Sequence, residues 1–190
     1  IEITFSIITV TFNSKENLLR TIESVNNQTY KNFCHIIKDG LSKDKTDEIN
    51  FDNYQNIEFH QSKDYGVYDA MNQAFELAKN EFIIYLNAGD IFFSDSILEE
   101  LALSISRNPN FNTYIGGTVQ IDPKNKHKKR VIGIGNLYKY LPLVQYPHPS
   151  FLIRKSVLNK LKQPFDSTLK VAADYKQQLI LAEKKLLKSY

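Results

Sequence analysis

The chain has 190 residues, 42% of them hydrophobic, and a net charge of +3, a composition typical of a single globular domain. A charge this small does not by itself indicate nucleic-acid binding, and we expect none. The single cysteine, Cys34, excludes an intramolecular disulfide bond. No apolar run approaches the roughly 20 residues that span a bilayer, and the strand-like start lacks the basic region of a signal peptide.

The first half of the chain alternates strand patterns with helix patterns. Residues 5–12 form an apolar, β-branched run typical of a buried strand, and Asn13 or Ser14 is predicted to cap the helix that follows. Ser94 is predicted to cap a later helix. The resulting βαβαβαβα order indicates an α/β fold with a mainly parallel twisted sheet and helices on both faces. Further strands are predicted at 33–38, 56–60 and 81–86, and further helices at 44–51, 71–78 and 97–105.

The second half has weaker patterns. Residues 113–121 are predicted as one strand, in which Gly116 and Gly117 indicate a bulge. The basic run 124–130 is predicted to be a solvated hairpin tip, with attraction to anionic lipid headgroups as the alternative. Residues 137–150 contain three prolines and are predicted to be a loop. Two helices, at 155–161 and 173–188, complete the prediction.

Polar residues follow three of the predicted strands. They are Asn13 and Ser14, Asp39 and Gly40, and the segment 87–90. Ligands of open α/β sheets bind outside the carboxyl ends of the strands, so these residues are candidates for one site. Turn formation is the competing explanation, and for Asn13 and Ser14 helix capping is sufficient.

Several segments in this order resemble the family 2 glycosyltransferases, which have the GT-A fold. The resemblance extends over nearly the whole chain. Its motifs GVYDAMN and LNAGD are similar to those of a bacterial branch that builds surface polysaccharides. The segments are FSIITVTFN at 5–13, QTY at 28–30, IKDGLSKDKT at 37–46, SKDYGVYDAMN at 62–72, FIIYLNAGD at 82–90, HPSF at 148–151 and AADY at 172–175.

The resemblance implies a site for a nucleotide-sugar donor, expected to be a UDP-sugar. Asp39 is expected to accept the imide N–H of uracil, with a turn-forming aspartate as the alternative. His148 is expected to contact the diphosphate, a metal or the acceptor, with an ordinary surface histidine as the alternative. The residues expected to bind the donor are Thr11, Asn13, Asp39, Asp69, Asn87 and His148.

The resemblance also implies a divalent cation, Mg²⁺ or Mn²⁺, and a catalytic base. Asn87 and Gly89 occupy the positions of the family's two motif aspartates, so Asp90 is the remaining carboxylate for a metal. Asp174 matches the base that deprotonates the acceptor hydroxyl. Helix capping is the alternative for Asp90, and a favourable helix-dipole position is the alternative for Asp174.

The expected function is therefore an inverting glycosyltransferase that acts on a glycan or lipid-linked acceptor, in the cytoplasm or at the inner membrane face. We expect one domain over 1–190, with a Rossmann-like nucleotide-sugar half at 1–110 and an acceptor half at 111–190. Family members usually continue beyond a position such as Tyr190. The alternatives are a sugar nucleotidyltransferase, whose Gly-rich basic loop is missing after the first strand, and a catalytically silent nucleotide-binding domain.

Overall fold

A computed structural model describes residues 2–122, 129–132 and 146–190 of the chain. The strands are β1 (Phe5–Thr11), β2 (Phe33–Asp39), β3 (Ile57–Gln61), β4 (Phe82–Tyr85), β5 (Thr113–Ile115), β6 (Thr118–Ile121), β7 (Lys129–Ile132) and β8 (Phe151–Arg154). The helices are α1 (Lys15–Asn26), α2 (Val67–Leu77), α3 (Ile97–Arg107), α4 (Lys155–Leu158) and α5 (Ala173–Glu183).

Six strands form the central sheet in the order β3-β2-β1-β4-β8-β5. The first four strands of the chain are parallel to one another, whereas β8 runs antiparallel to both of its neighbours. The strand order reverses between β1 and β4, and a ligand site is expected at the carboxyl ends beside such a reversal. The predicted mainly parallel α/β sheet is confirmed.

Both faces of the sheet are covered because its strands carry apolar side chains on both sides. On one face, Ile8, Val10 and Ile36 pack against α2, α4 and α5. On the other face, Phe5 and Ile7 pack against α1 and α3. The helices thus bury the middle of the sheet and leave its carboxyl edge to the loops.

The second half departs from the prediction in three elements. The expected strand at 113–121 is two strands, because the chain leaves the central sheet at Gly116 and Gly117 and then pairs β6 with β7. The strand β8 was not predicted. The last helix ends at Glu183, before the expected residue 188, and the helix that begins at Lys155 ends at Leu158.

Ser14 is the N-cap residue of α1, as one of the two predicted candidates, whereas the N-cap residue of α3 is Ser96 and not Ser94. Ser14 makes no capping hydrogen bond, and Asp44 Oδ2 accepts the Lys15 N–H at 2.7 Å instead. Ser94 does not cap α3, since the Leu98 N–H donates to Gln28 Oε1 at 3.0 Å. The polar helix expected at 44–51 is two short 3₁₀ turns. The N–H groups at the starts of α1 and α3 are therefore bound by side chains that are distant in sequence, and not by the adjacent serines that were predicted to cap them.

Two predicted segments fall partly outside the described residues: 124–128 of the basic hairpin tip and 137–145 of the proline-containing loop. Within the described ranges, no helix combines the length and hydropathy needed to cross a membrane.

Candidate active site

Three polar side chains lie side by side at the carboxyl edge of the sheet. Thr11 ends β1, Asp39 ends β2 and Gln61 ends β3, and the strand register places Asp39 between the other two. Neighbours in register project from the same face of a parallel sheet. The three side chains therefore form a polar row on the face that carries α1.

Asp39 is the centre of this row and is fully buried. Its Oδ2 accepts the Ser42 backbone N–H at 2.9 Å and the Gln61 amide at 2.8 Å. The Ser42 hydroxyl makes a further short hydrogen bond to Asp39 Oδ1. A carboxylate offers about four acceptor positions, so three donors leave room for one more.

Thr11, a member of this row, and Asn13 lie at and just after the end of β1. The Thr11 side chain is 6% exposed, and its hydroxyl has no hydrogen-bond partner among the described residues. A buried hydroxyl without a partner is costly, which suggests that a ligand completes it. Asn13 has a positive φ of 49° and joins the loop after β2, because its N–H donates to Ser42 Oγ at 2.7 Å and its Oδ1 accepts the Lys43 N–H at 2.8 Å.

A buried lysine fastens the loop after β3 to this edge. Lys38 is 1% exposed, and its ammonium donates to Asp39 O at 3.0 Å, Ser62 O at 2.7 Å and Asp64 Oδ2 at 3.2 Å. All three ammonium protons are thereby used. Asp69 holds the same loop from α2, since its Oδ2 accepts the Tyr65 N–H at 3.0 Å. These contacts are local, and donor binding by Asp69 stays a prediction.

The turn after β4 is the second part of the edge. Gly89 has a φ of 103°, a conformation that glycine adopts without strain. Thr21 of α1 holds the turn, because its hydroxyl accepts the Gly89 N–H at 2.9 Å and donates to Asp90 O at 2.8 Å. Burial raises the pKa of the Asp90 carboxyl, although the nearby His148 counteracts this. Asp90 therefore sits where a positive charge would stabilise it.

A chain of polar side chains runs from this turn to α5. The Asn87 amide nitrogen lies 3.2 Å from His148 Nε2, and His148 Nδ1 lies 3.5 Å from Asp174 Oδ2. On the other side of the carboxylate, the Tyr68 hydroxyl donates to Asp174 Oδ1 at 3.3 Å. Asp174 is the second residue of α5, whose N-cap residue Ala172 has a positive φ of 62°. The helix that carries Asp174 therefore begins at a residue in the left-handed region, which costs a non-glycine residue energy.

The surroundings of Asp174 keep it ionised. Burial by itself would raise the pKa of its carboxyl, but the contacts from His148, the Tyr175 backbone and Tyr68 outweigh burial and lower it. Burial and the negative charge of Asp174 raise the pKa of Tyr68 in turn. Near neutral pH the site thus holds a partly buried carboxylate that can accept a proton.

The atoms around Asp90 show whether its surroundings suit a metal ion. Mg²⁺ and Mn²⁺ prefer oxygen ligands. Across 2–122, 129–132 and 146–190, no three His, Cys, Asp or Glu side chains form a metal-binding group. Burial nevertheless raises the pKa of Asp90, so a cation would offset the cost of its charge. Among the described residues, Asp90 thus supplies a single carboxylate to a cation, whose other ligands would come from outside the chain.

The structure brings the predicted residues together in two groups on one edge. Thr11, Asn13 and Asp39 form the first, and the second contains Asn87, His148 and Asp174 with Asp90 nearby. Sequence reasoning missed Gln61 and Tyr68 as partners of the two main carboxylates. Tyr68 lies inside the segment 62–72 that carried the resemblance, but nothing local shows that it reaches residue 174.

A comparison with family models decides the family. The model described as "Glycosyl transferase family 2" matches residues 6–163, most of the chain. The chain belongs to glycosyl transferase family 2. The predicted family and transferase class are thereby confirmed, and family membership argues against the sugar nucleotidyltransferase.

Two bacterial relatives are named as biosynthesis glycosyltransferases. An amylovoran biosynthesis glycosyltransferase, AmsB of Erwinia amylovora, is 28% identical over 109 residues, which are 54% of this chain and 36% of the relative. A PGL/p-HBAD biosynthesis glycosyltransferase of Mycobacterium bovis is 30% identical over 119 residues, 60% of this chain and 46% of the relative. The aligned segments thus span less than half of these relatives.

Solved structures share the fold of this family 2 domain. S. aureus TarS 1–349 in complex with UDP-GlcNAc superposes with a TM-score of 0.75 at 18% identity, over 93% of this chain and 52% of that one. The mannosyltransferase PcManGT from Pyrobaculum calidifontis, in complex with GDP-Man and Mn²⁺, superposes with a TM-score of 0.70 at 14% identity, over 100% and 54%. These similarities confirm the predicted GT-A fold.

Proposed function

We propose that this chain transfers a sugar from a UDP-sugar to an acceptor hydroxyl, with inversion at the anomeric carbon. The observation that carries the proposal is the ionised, partly buried Asp174 carboxylate at the same edge as Asp39 and Asp90. One carboxylate can recognise the donor, one can bind a cation and one can accept a proton. Family 2 membership and the UDP-GlcNAc complex of TarS support this assignment.

Asp39 and Thr11 recognise the donor base in this proposal. Asp39 has three donors already and accepts one more, which matches the single imide N–H of uracil. The buried Thr11 hydroxyl gains its missing partner from the nucleotide. Asn13 and Asp69 act by holding the loops that surround the base.

Asp90 holds the divalent cation in this proposal, together with oxygens of the donor diphosphate. When bound, the cation offsets the charge that develops on the leaving diphosphate. Asn87 presents a buried amide oxygen without a partner among the described residues, and a donor hydroxyl can complete it. Since residues 87 and 89 are not acidic, the cation site in this proposal is complete only when the donor diphosphate is bound.

Asp174 is the catalytic base. Its carboxylate takes the proton from the acceptor hydroxyl as that oxygen bonds to the anomeric carbon and the bond from carbon to diphosphate breaks. Relatives named for amylovoran and PGL/p-HBAD biosynthesis support an extension of the proposal to a glycan or lipid-linked acceptor. The geometry around Asp174 does not depend on which acceptor is used.

Calorimetric titration with UDP, with and without Mn²⁺, tests the donor site, and UDP release from UDP-GlcNAc, UDP-glucose and UDP-galactose tests turnover. We expect UDP to bind more tightly with Mn²⁺. Asp39→Asn should weaken UDP binding at least tenfold, whereas Asp47→Asn, a change of an exposed aspartate, should not. Asp174→Asn should keep UDP binding and lose turnover by about 10²–10⁴-fold.

These measurements also distinguish the alternative of a silent domain. Binding of UDP without turnover of any donor would favour that alternative, which the non-acidic Asn87 and Gly89 also suit. Full turnover by Asp174→Asn would reject Asp174 as the base. Failure of UDP to bind in any condition would reject the donor assignment.

A further inference from the structure

Asn87 stands where the family has an acidic residue, and its contact with His148 suggests why an amide serves here. The Asn87 amide nitrogen lies 3.2 Å from His148 Nε2. With the amide nitrogen turned towards the ring, Asn87 donates, and Nε2 is then the acceptor without a proton. A neutral imidazole then has its proton on Nδ1. This Nδ1 faces Asp174 Oδ2 at 3.5 Å.

The contact between His148 and Asp174 has the right polarity but is long. An N–H donor at 3.5 Å from a carboxylate oxygen is at the outer limit of a hydrogen bond. Such contacts in free enzymes often shorten when substrate binds. Tyr68 approaches the other carboxylate oxygen at 3.3 Å. Together with the Tyr175 backbone N–H, donors on both oxygens fix the plane of the carboxylate.

We propose that Asn87 and His148 are positioning residues for Asp174, with the Asn87 amide holding the imidazole as the Nδ1–H tautomer that orients the carboxylate. The proposal rests on the proposed function, in which Asp174 is the base. An aspartate at position 87 would do the opposite, because it accepts only and therefore requires a proton on Nε2.

Nitrogen-15 NMR of histidine-labelled protein tests the tautomer directly. The chain has 4 histidines, few enough that the His148→Gln spectrum assigns the signals of His148. At pH 7.5 we expect a protonated Nδ1 and a bare Nε2 on His148. Asn87→Asp should move the proton to Nε2 or give the imidazolium. The matched variant Asn110→Asp adds the same charge in an exposed turn and should leave the spectrum unchanged.

Two replacements of His148 separate its two contacts kinetically. The amide of asparagine reaches about as far as Nδ1, and that of glutamine about as far as Nε2. His148→Asn should therefore keep the donor to Asp174 and retain kcat for UDP-sugar hydrolysis within about threefold. His148→Gln should lower kcat by about tenfold or more and leave the donor KM nearly unchanged. A fall in kcat without a change in KM is typical of a residue that acts through the base.

Two results would overturn the proposal. One is a wild-type His148 with its proton on Nε2, or a spectrum that Asn87→Asp does not alter. The other is a pair of His148 variants that lose kcat equally, or that change only the donor KM, which would make His148 a donor-binding residue. The tautomer is measured without turnover, so full turnover by Asp174→Asn would reject the base and not the hydrogen-bond chain.

Discussion

Gly40 directly follows Asp39, and the space around it leaves no room for a side chain. A Cβ at this position would lie 2.6 Å from Asp64 Oδ2 and 3.2 Å from the Phe12 ring. Asp64 cannot easily move, because Lys38 and the Gly66 N–H hold its two oxygens. Close approach of two loops therefore explains the glycine at this turn.

Gly40→Ala should accordingly destabilise the protein by about 1–3 kcal/mol and weaken UDP binding, because the loop next to Asp39 must shift. Gly116→Ala is the matched control, since its Cβ would lie at an ordinary 3.9 Å from Ser150. Urea unfolding measures both variants. Equal stability of the two would show that the loop at Gly40 adjusts freely.

His35 is buried on β2 and makes stability depend on pH. Its Nε2 lies 2.8 Å from Thr9 Oγ1, which donates its own proton to Leu86 O at 2.7 Å. Nε2 must therefore donate, and Nδ1 has no hydrogen-bond partner among the described residues. Burial lowers the pKa of His35 from 6.5 to about 3.

Between these two values the unfolded chain binds a proton that the folded chain does not. Stability should therefore be complete above pH 6.5 and fall as the pH is lowered towards 3, by up to about 1.4 kcal/mol per pH unit from this residue. His35→Gln should remove that part of the slope. His60→Gln, which removes a solvent-accessible imidazole, should keep it. Unfolding curves at pH 4.5, 5.5 and 7 provide the comparison.

The start of α1 depends on a side chain that is far away in sequence. Asp44 accepts the Lys15 N–H at 2.7 Å and the Thr46 hydroxyl at 2.6 Å, whereas Ser14 makes no capping bond. Asp44→Ala should cost about 1 kcal/mol, the usual effect of removing a cap. Ser14→Ala should cost less than about 0.5 kcal/mol. A larger cost for Ser14→Ala in thermal unfolding would contradict this account of the helix start.

The elements that were predicted well have strong local patterns. The strand that begins at Phe5 is apolar and is followed by a polar turn and a helix with a clear apolar face. The strand β8 has only 4 residues and gains its place from β4 and β5, which are distant in the chain. A strand this short without alternation or turn residues gives no reliable local signal.

The end of α5 shows a second limit of local patterns. Lys185 has a positive φ of 53°, and the Leu186 N–H donates back to Leu181 O at 2.9 Å, as in a Schellman motif. Glycine or asparagine usually marks such an end, and here a lysine takes the position. Burial of Leu187 in the core maintains the turn. The end of α5 therefore depends on tertiary packing, and no residue of the segment predicts it from the sequence.

In the candidate site, the carboxylates could be predicted from the sequence, but their hydrogen-bond partners could not. Asp39, Asp90 and Asp174 could be named from strand ends and the family resemblance. Their partners could not, since Asn87 and His148 are 61 residues apart and Tyr68 and Asp174 are 106 apart. A sequence identifies groups that carry chemistry, whereas their hydrogen bonds depend on the folded arrangement of several loops.

For the whole molecule, the site at the β1–β4 reversal joins elements from both halves of the chain. A donor that contacts the Asp39 and Asp90 groups should therefore stabilise the complete fold. UDP with Mn²⁺ at about 100 times Kd should add about 2.7 kcal/mol and raise Tm by about 5–10 °C. Asp39→Asn should lose most of the shift at the same concentrations. A shift of similar size in that variant would place the nucleotide elsewhere.

The ammonium of Lys38 has a practical consequence for following the protein in solution. An amine-reactive reagent labels exposed lysines such as Lys63 at once, but it cannot reach a group that is 1% exposed and bonded to three oxygens. Labelling at Lys38, read by mass spectrometry, would therefore record each separation of the loop after β3 from the end of β2. The rate of Lys38 modification therefore measures how often this loop separates from the end of β2.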